Sequence, residues 1–262
     1  MSVLPPQRLA QVEDASLNAS APPQQFWMDG WLLRLSPGKA KRARCINALA
    51  PGLATPAAKL VRAQRYFDAA GLPLIVRVTP FSQPANLDEA LAAAGLQRFD
   101  PTEVLVADLA GADRLAPLPE HLELQALDHA VFAGIVGALR GSPPSEQRAQ
   151  AERLATCPVP YRGFALGERV GDGSTRILAC GQYAREADLV GLYDICTAPA
   201  ARRNGLALAL CSALLRAAAA EGACSAYLQV DAGNAAALAL YRRLGFVEAY
   251  RYHYRAAEPG RS

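Results

Sequence analysis

The sequence predicts an α/β fold, α+β in its layout, built on a mixed sheet. Three observations lead there. Apolar strands joined by tight turns run from Tyr161 to Thr197, with Asp172–Gly173 as a hairpin signal. Two strand–helix units follow between Leu189 and Phe246, and right-handed crossovers are the economical way to connect them. Apolar residues make up 52% of the 262, enough for a sizeable core and unlike a disordered chain.

The elements can be justified in chain order. Met1–Pro23 is polar with room for a short helix, and Asp29–Gly30 turns the chain into a strand at Trp31–Leu35. Ala43–Leu49 is a second strand that pairs with it. After a linker at Pro51–Pro56, Ala57–Ala70 carries Leu60, Val61, Gln64 and Phe67 at helical spacing and stops at Gly71. Leu72–Val78 is a strand, Leu87–Ala94 a helix ended by Gly95, and Glu103–Leu109 a strand. The Pro-rich stretch Asp113–Glu120 reads as a linker. Beyond it come a strand at Leu122–Gln125, helices at Asp128–Leu139 and Ser142–Ala155, and the strand run already described. A faint repeat links Leu72–Phe99 to Ala226–Tyr254: strand, loop, short helix, Gly, strand. It suggests two halves, 1–115 and 116–262.

Composition narrows the function classes. The net charge of +3, from 27 basic and 24 acidic residues, draws the chain to neither nucleic acid nor membrane. The cluster Lys39, Lys41, Arg42 and Arg44 reads as a solvated rim, with a phosphate contact as the alternative. Six cysteines, none in CxxC pairs, and a first 20 residues without signal-peptide organisation fit reduced thiols in a cytoplasmic protein. No apolar run is long enough to cross a membrane, and the three scattered histidines imply no metal site.

The sharpest local signal is Thr197–Ala207. Pro199 ends a strand, a helix begins near Arg203–Leu206, and its first-turn N–H groups form an anion site. Gly205 allows close approach to the backbone, Ala207 keeps the wall low, and Arg202 and Arg203 add charge. An ordinary helix start with surface arginines remains the alternative. The segment is neither a Walker motif nor GxGxxG. Asn234 caps the last helix and could also bond a cofactor. Tyr241 is either a half-buried packing residue or a proton donor.

These residues resemble the Gcn5-related N-acetyltransferase (GNAT) superfamily over residues 120–257. The resemblance rests on Pro199, the spacing Arg202–Gly205–Ala207, Asn234, Tyr241 and Leu244–Gly245–Phe246. Asn204 and Ala207 depart from the commoner choices in that pattern. The first half is similar to the degenerate N-terminal half of two-part bacterial members, through Gly30–Arg34 and Lys41–Ala43, and it lacks a phosphate loop and a tyrosine at the matching place. The resemblance implies a GNAT acyl-CoA N-acyltransferase fold, tandem with an incomplete first copy, and acetyl-CoA as acetyl donor. The implied donor site is Ile195, Cys196, Thr197, Arg202, Arg203, Asn204, Gly205, Leu206, Ala207 and Asn234. Tyr241 would be the acid and Asp194 the first candidate base, with Glu103 and Asp231 behind it; a structural or substrate-binding anion is the other reading of Asp194. Trp31, Arg34 and Tyr193 are expected in the cleft of a small-molecule amine acceptor. The protein is expected to be a monomer or homodimer. A non-catalytic acyl-CoA-binding or sensor protein is the alternative function.

Overall fold

The computed structural model describes residues 4–38, 40–171 and 173–259; Lys39 of the basic cluster and Asp172 of the expected turn lie outside them. The first half runs α1 (Pro6–Ala19), β1 (Gln24–Met28), β2 (Trp31–Leu35), β3 (Ile46–Ala48), α2 (Pro56–Ala69), β4 (Val76–Val78), α3 (Leu87–Ala93) and β5 (Gln97–Asp108). The second runs β6 (Leu122–Leu127), α4 (His129–Arg140), α5 (Pro144–Thr156), β7 (Tyr161–Arg169), β8 (Thr175–Glu186), β9 (Leu189–Thr197), α6 (Leu206–Ala220), β10 (Ser225–Asp231), α7 (Ala235–Arg243) and β11 (Val247–Ala256).

Local chemistry explains many of the boundaries. Asp29 and Gly30 both take positive φ, as a two-residue hairpin turn requires, so the chain before Trp31 pairs as β1 instead of remaining a turn. Thr55, Asp128 and Asn234 cap α2, α4 and α7 through their side-chain oxygens. Pro sits in the first turn of α1, α2 and α5, where no partner for its missing N–H is needed.

The eleven strands of the described residues form one mixed sheet, in the order β1-β2-β3-β4-β11-β5-β10-β9-β8-β7-β6. Only β3–β4 and β9–β10 are parallel. The centre of the sheet is an exchange. The last strand of the first half, β5, lies between β10 and β11; the last strand of the second half, β11, lies between β4 and β5. Leu105 of β5 thus faces both Leu228 and Glu248. The repeat seen in sequence appears as β4–α3–β5 and β10–α7–β11, arranged in opposite order about the β5/β11 pair. Residues on both sides of position 115 therefore share one sheet.

Two apolar layers cover the halves. Phe67 and Ala63 of α2 pack with Trp31, Leu33, Ile46 and Val76. Leu210, Leu214 and Ala218 of α6 pack with Ala179, Val190, Leu192 and Leu228. Between the layers lies a buried polar knot. Arg77 of β4 donates to both carboxylate oxygens of Glu13 on α1, and the Tyr250 hydroxyl donates to Glu13 Oε2 at 2.6 Å. The Arg77 guanidinium lies 4.0 Å from the ring centre of Tyr252. Burial alone would raise the Glu13 carboxyl, but Arg77 and Tyr250 hold it below the usual carboxylate range.

A surface contact also ties β11 to the first half. Asp88 Oδ1 on α3 accepts from Arg255 Nε at 2.5 Å and lies 2.7 Å from His253 Nε2. The hydrogen bond from Arg255 is the main reason the Asp88 carboxyl is pushed down to about 2 from 3.8. A depressed carboxyl stabilises the fold above its unfolded value and ceases to do so as pH falls through its folded one. The stability advantage of wild type over Asp88→Asn should therefore be full above about pH 4 and vanish towards about pH 2, read by urea unfolding across that range.

Candidate functional site

The site begins where two parallel strands part. β9 and β10 pair only from Leu189 to Gly191 and from Ser225 to Tyr227. Gly191 makes the fork: a Cβ there would fall 2.6 Å from ring atoms of both Tyr193 and Tyr227, whose hydroxyls meet at 2.8 Å. On its other edge β9 carries a bulge. Asp194 and Ile195 together stand opposite Gly181, between the pairs Gln182–Tyr193 and Cys180–Cys196. Asp194 takes φ +53°, a left-handed conformation that Asp tolerates better than most residues. Beyond Gly191 the edge of β9 facing β10 has no ladder partner, so its N–H groups are available to a ligand.

Two cavities open from this fork. The larger, about 670 Å³, lies between the start of α6 and α7 and is lined by Ile195, Cys196, Thr197, Arg202, Arg203, Gly205, Leu206, Ala207 and Tyr241 among others. Gly205 at φ +74° is the residue before α6, and no side chain caps that helix, unlike α2, α4 and α7. A Cβ built on Gly205 meets nothing within 4 Å. The first-turn residues Leu206, Ala207 and Leu208 line this cavity, at the positive end of the helix. Arg202, Arg203 and Asn204 are exposed around it, with Arg202 Nε 3.4 Å from Thr197 O.

The smaller cavity, about 350 Å³, is lined by Tyr193, Asp194, Asp231, Asn234 and Tyr241 from the second half and by Ser20, Arg42 and Ala43 from the first. Ile195, Ala237 and Tyr241 line both cavities. Tyr241 is 9% exposed, and burial pushes its hydroxyl well up, so it keeps its proton through neutral pH. Its hydroxyl makes no hydrogen bond among the described residues. Asn234 accepts from Ala237 N at 3.1 Å, as the helix cap expected of it.

Several expected roles change. Asp194 is not a free carboxylate: Oδ1 accepts from Arg140 Nη1 at 2.7 Å, and Oδ2 from Gln182 at 2.7 Å and Gln150 at 3.0 Å. Three donors take three of the roughly four acceptor positions of the carboxylate, one of them a guanidinium, so its geometry is that of an anchor for the bulge. Trp31 and Arg34 do not line the cleft. Trp31 is fully buried in the first-half core under the Lys59 ammonium, 5.3 Å from the ring. The guanidinium of Arg34 is enclosed by the carbonyls of Leu17, Ser20 and Arg42. Arg42 is no solvated rim residue: it is half-buried and donates to Gln229 Oε1 at 2.7 Å. Sequence reasoning missed Ser20, Arg140, Arg153 and Tyr161 as lining residues, because they come from the ends of α1 and α4, from α5 and from the start of β7, which carry no motif.

The first half closes its own version of the cradle. The loop between β3 and α2 places the Leu53 and Ala54 N–H groups 2.8 Å from the two oxygens of Asp29. Lys59 Nζ lies 3.3 Å from the same carboxylate, and Thr55 caps the helix. An internal carboxylate thus takes the donors that the α6 loop leaves open.

Residues 122–246 match the model of the acetyltransferase (GNAT) family. A GCN5-related N-acetyltransferase from Kribbella flavida superposes with a TM-score of 0.67 at 18% identity, over 96% of this chain and 95% of that one. The fold is the GNAT acetyltransferase fold. A tandem GNAT protein from the clavulanic acid biosynthesis pathway gives a TM-score of 0.61 at 17% identity, over 78% of this chain and 70% of that one. A mycothiol acetyltransferase from Streptomyces avermitilis is 31% identical over 161 residues, 58% of this chain. The chain spans about half the length (52%) of that relative. The GNAT family match covers the bulge, the uncapped α6 and Tyr241, and leaves the first half outside it.

Among the described residues no His, Cys, Asp and Glu group could hold a metal, no disulfide joins the cysteines, and no helix is long and apolar enough to cross a membrane. If Asp194 anchors the bulge, Asp194→Asn should retain the fold, since Asn also tolerates positive φ, but lose about 1–3 kcal/mol of stability in urea unfolding.

Proposed function

We propose that the protein transfers the acetyl group of acetyl-CoA to the primary amine of a small acceptor. The observation that carries this reading is Tyr241, a buried, protonated hydroxyl that lines both the α6–α7 cavity and the smaller cavity beside Asp231. The α6 cradle fits a diphosphate: its helix end is uncapped, and the space above Gly205 is open.

In this reading the N–H groups of Gly205, Leu206 and Ala207 hold the diphosphate, with Arg202, Arg203 and Asn204 at its rim. The free edge Ile195–Cys196–Thr197 binds the arm of the donor and offers N–H groups to the carbonyl that accumulates charge. Asn234 holds the start of α7 in place. Acetyl-CoA, when bound, supplies an activated acyl group on a thiol leaving group. Tyr241 gives its phenolic proton to the departing sulfur. The amine must lose a proton to attack. Asp231 lines the cavity, and among the described residues its carboxylate accepts one hydrogen bond, from Gly233 N to Oδ1, so Asp231 is better placed than Asp194 to take that proton directly or through water. Asp194 holds the bulge, and Tyr193 forms part of the acceptor wall. The first half, with its cradle closed by Asp29, serves the acceptor side and does not bind a second donor.

Calorimetry with acetyl-CoA should show binding that Gly205→Glu abolishes, because a carboxylate would enter the cradle. Tyr241→Phe should still bind acetyl-CoA while its turnover falls about 10²-fold or more. Binding without CoA release from any amine would favour the sensor reading; absence of binding by folded protein would exclude both.

A further inference from the structure

The charges around the smaller cavity do not balance. Arg34, Arg42 and Arg77 are buried or half-buried on its first-half side, and the carboxylate in direct contact with them is Glu13, bound by Arg77. The Arg34 guanidinium touches carbonyls and the Ser20 hydroxyl, and burial pushes it down to about 10. On the second-half side Arg140 is matched by Asp194. Arg153 is not matched: it lies 5.6 Å from the ring centre of Tyr161 and 3.5 Å from Ala19 O, with no ion pair among the described residues.

Two arginines line the cavity with no carboxylate hydrogen-bonded to them among the described residues, Arg42 and Arg153; with Arg140 they outnumber the lining carboxylates Asp194 and Asp231 by one. Arg42 donates from Nη1 to Gln229 and to Tyr252 OH at 3.3 Å, both neutral groups. Its Nε is buried with no hydrogen-bond partner among the described residues, as is the neighbouring Gln229 Nε2. Buried donors and uncompensated guanidinium charge are costly, and a guanidinium is well shaped to receive a carboxylate or phosphate. Contacts join this part of the wall together: Ser20 and Arg42 meet through Arg34, and Ala19 meets both Arg153 and the Tyr161 hydroxyl at 2.6 Å. Asp231, Asn234 and Tyr241 line the same cavity, and Asp231 contributes a carboxylate that an amino group can face.

We infer that the acceptor is an anionic amine, whose carboxylate or phosphate is received by Arg42 and Arg153 while its amino group faces Asp231 and Tyr241. This rests on the acetyltransferase reading and names the substrate class of that same site. It also gives the first half a task, since Arg42 is its charged contribution to the cavity.

The test uses matched amines that differ in the anion: β-alanine against β-alaninamide, and O-phosphoethanolamine against ethanolamine. Released CoA thiol is measured for wild type, Arg42→Gln and Arg153→Gln. Wild type should favour a charged member by roughly tenfold or more in kcat/KM, and Arg153→Gln should reduce that preference mainly through KM. Arg153 is half-exposed, so this variant stays informative if Arg42→Gln does not fold. A second measurement needs no turnover. With CoA saturating the α6 cradle, inorganic phosphate or acetate should raise the melting temperature of wild type above that in chloride of equal ionic strength, and Arg153→Gln should lose the difference. The more effective anion identifies the acceptor group as phosphate or carboxylate. Equal use of both members of each pair, or no anion-specific shift, overturns the inference while acetyl-CoA binding stands. Loss of acetyl-CoA binding by wild type overturns the transferase reading instead.

Discussion

The structure depends on the antiparallel pair formed by β5 and β11 at the centre of the sheet. Each strand belongs to one half by sequence and is flanked on its far side by a strand of the other half. Neither half can complete its sheet without the other's last strand. β5 is buried through Val104–Ala107, and β11 supplies Tyr250, Tyr252 and Tyr254 to the same interior. The Glu13–Arg77 pair sits against these tyrosines, where removing one partner of a buried ion pair typically costs about 3–5 kcal/mol. The exchange also fixes where the cavity lies, because it brings Arg42 of the first half beside Gln229 of β10 and Tyr252 of β11.

The two halves then differ in how they treat the same loop. After β9 the chain leaves a helix end uncapped, with a glycine at positive φ and open space above it. After β3 a comparable loop is filled by its own side chains: Asp29 accepts the Leu53 and Ala54 N–H groups, and Lys59 accompanies that carboxylate. Unsatisfied donors must find partners, and an internal partner in one half leaves the ligand-facing version to the other. Gly52 shows how closed the first loop is, since a Cβ there would lie 2.1 Å from Asp29 O.

Much of the second half could be read from sequence because its signals are local. Gly205, Asn234 and the strand alternation each act within a few residues, and the helices and strands fall close to where they were expected. The uncapped start of α6 and the place of Tyr241 on α7 were legible for the same reason, since spacing along one strand–helix unit determines them. What depends on pairing across the molecule was not legible. β5 begins at Gln97, well before the apolar stretch at Glu103, because its polar outer part pairs with Arg255 and Ala256. Trp31 and Arg34 carry the side chains of a binding cleft, yet one is covered by Lys59 and the other is held by backbone carbonyls. Asp194 looked like a lone acid in an apolar strand; its partners Arg140 and Gln150 lie 54 and 44 residues away in sequence. Arg42 looked like surface charge for the same reason.

In the proposed reading the second half holds the acetyl donor, and the first has closed its cradle with Asp29. Hydrogen exchange of the intact protein with and without acetyl-CoA tests it most directly, resolved to peptides of the two loops. Slowed exchange at Ile195–Thr197 and Gly205–Leu208, with none gained at Leu53–Ala58, is the predicted result. Protection gained at Leu53–Ala58, or at neither loop while acetyl-CoA binds, would contradict it.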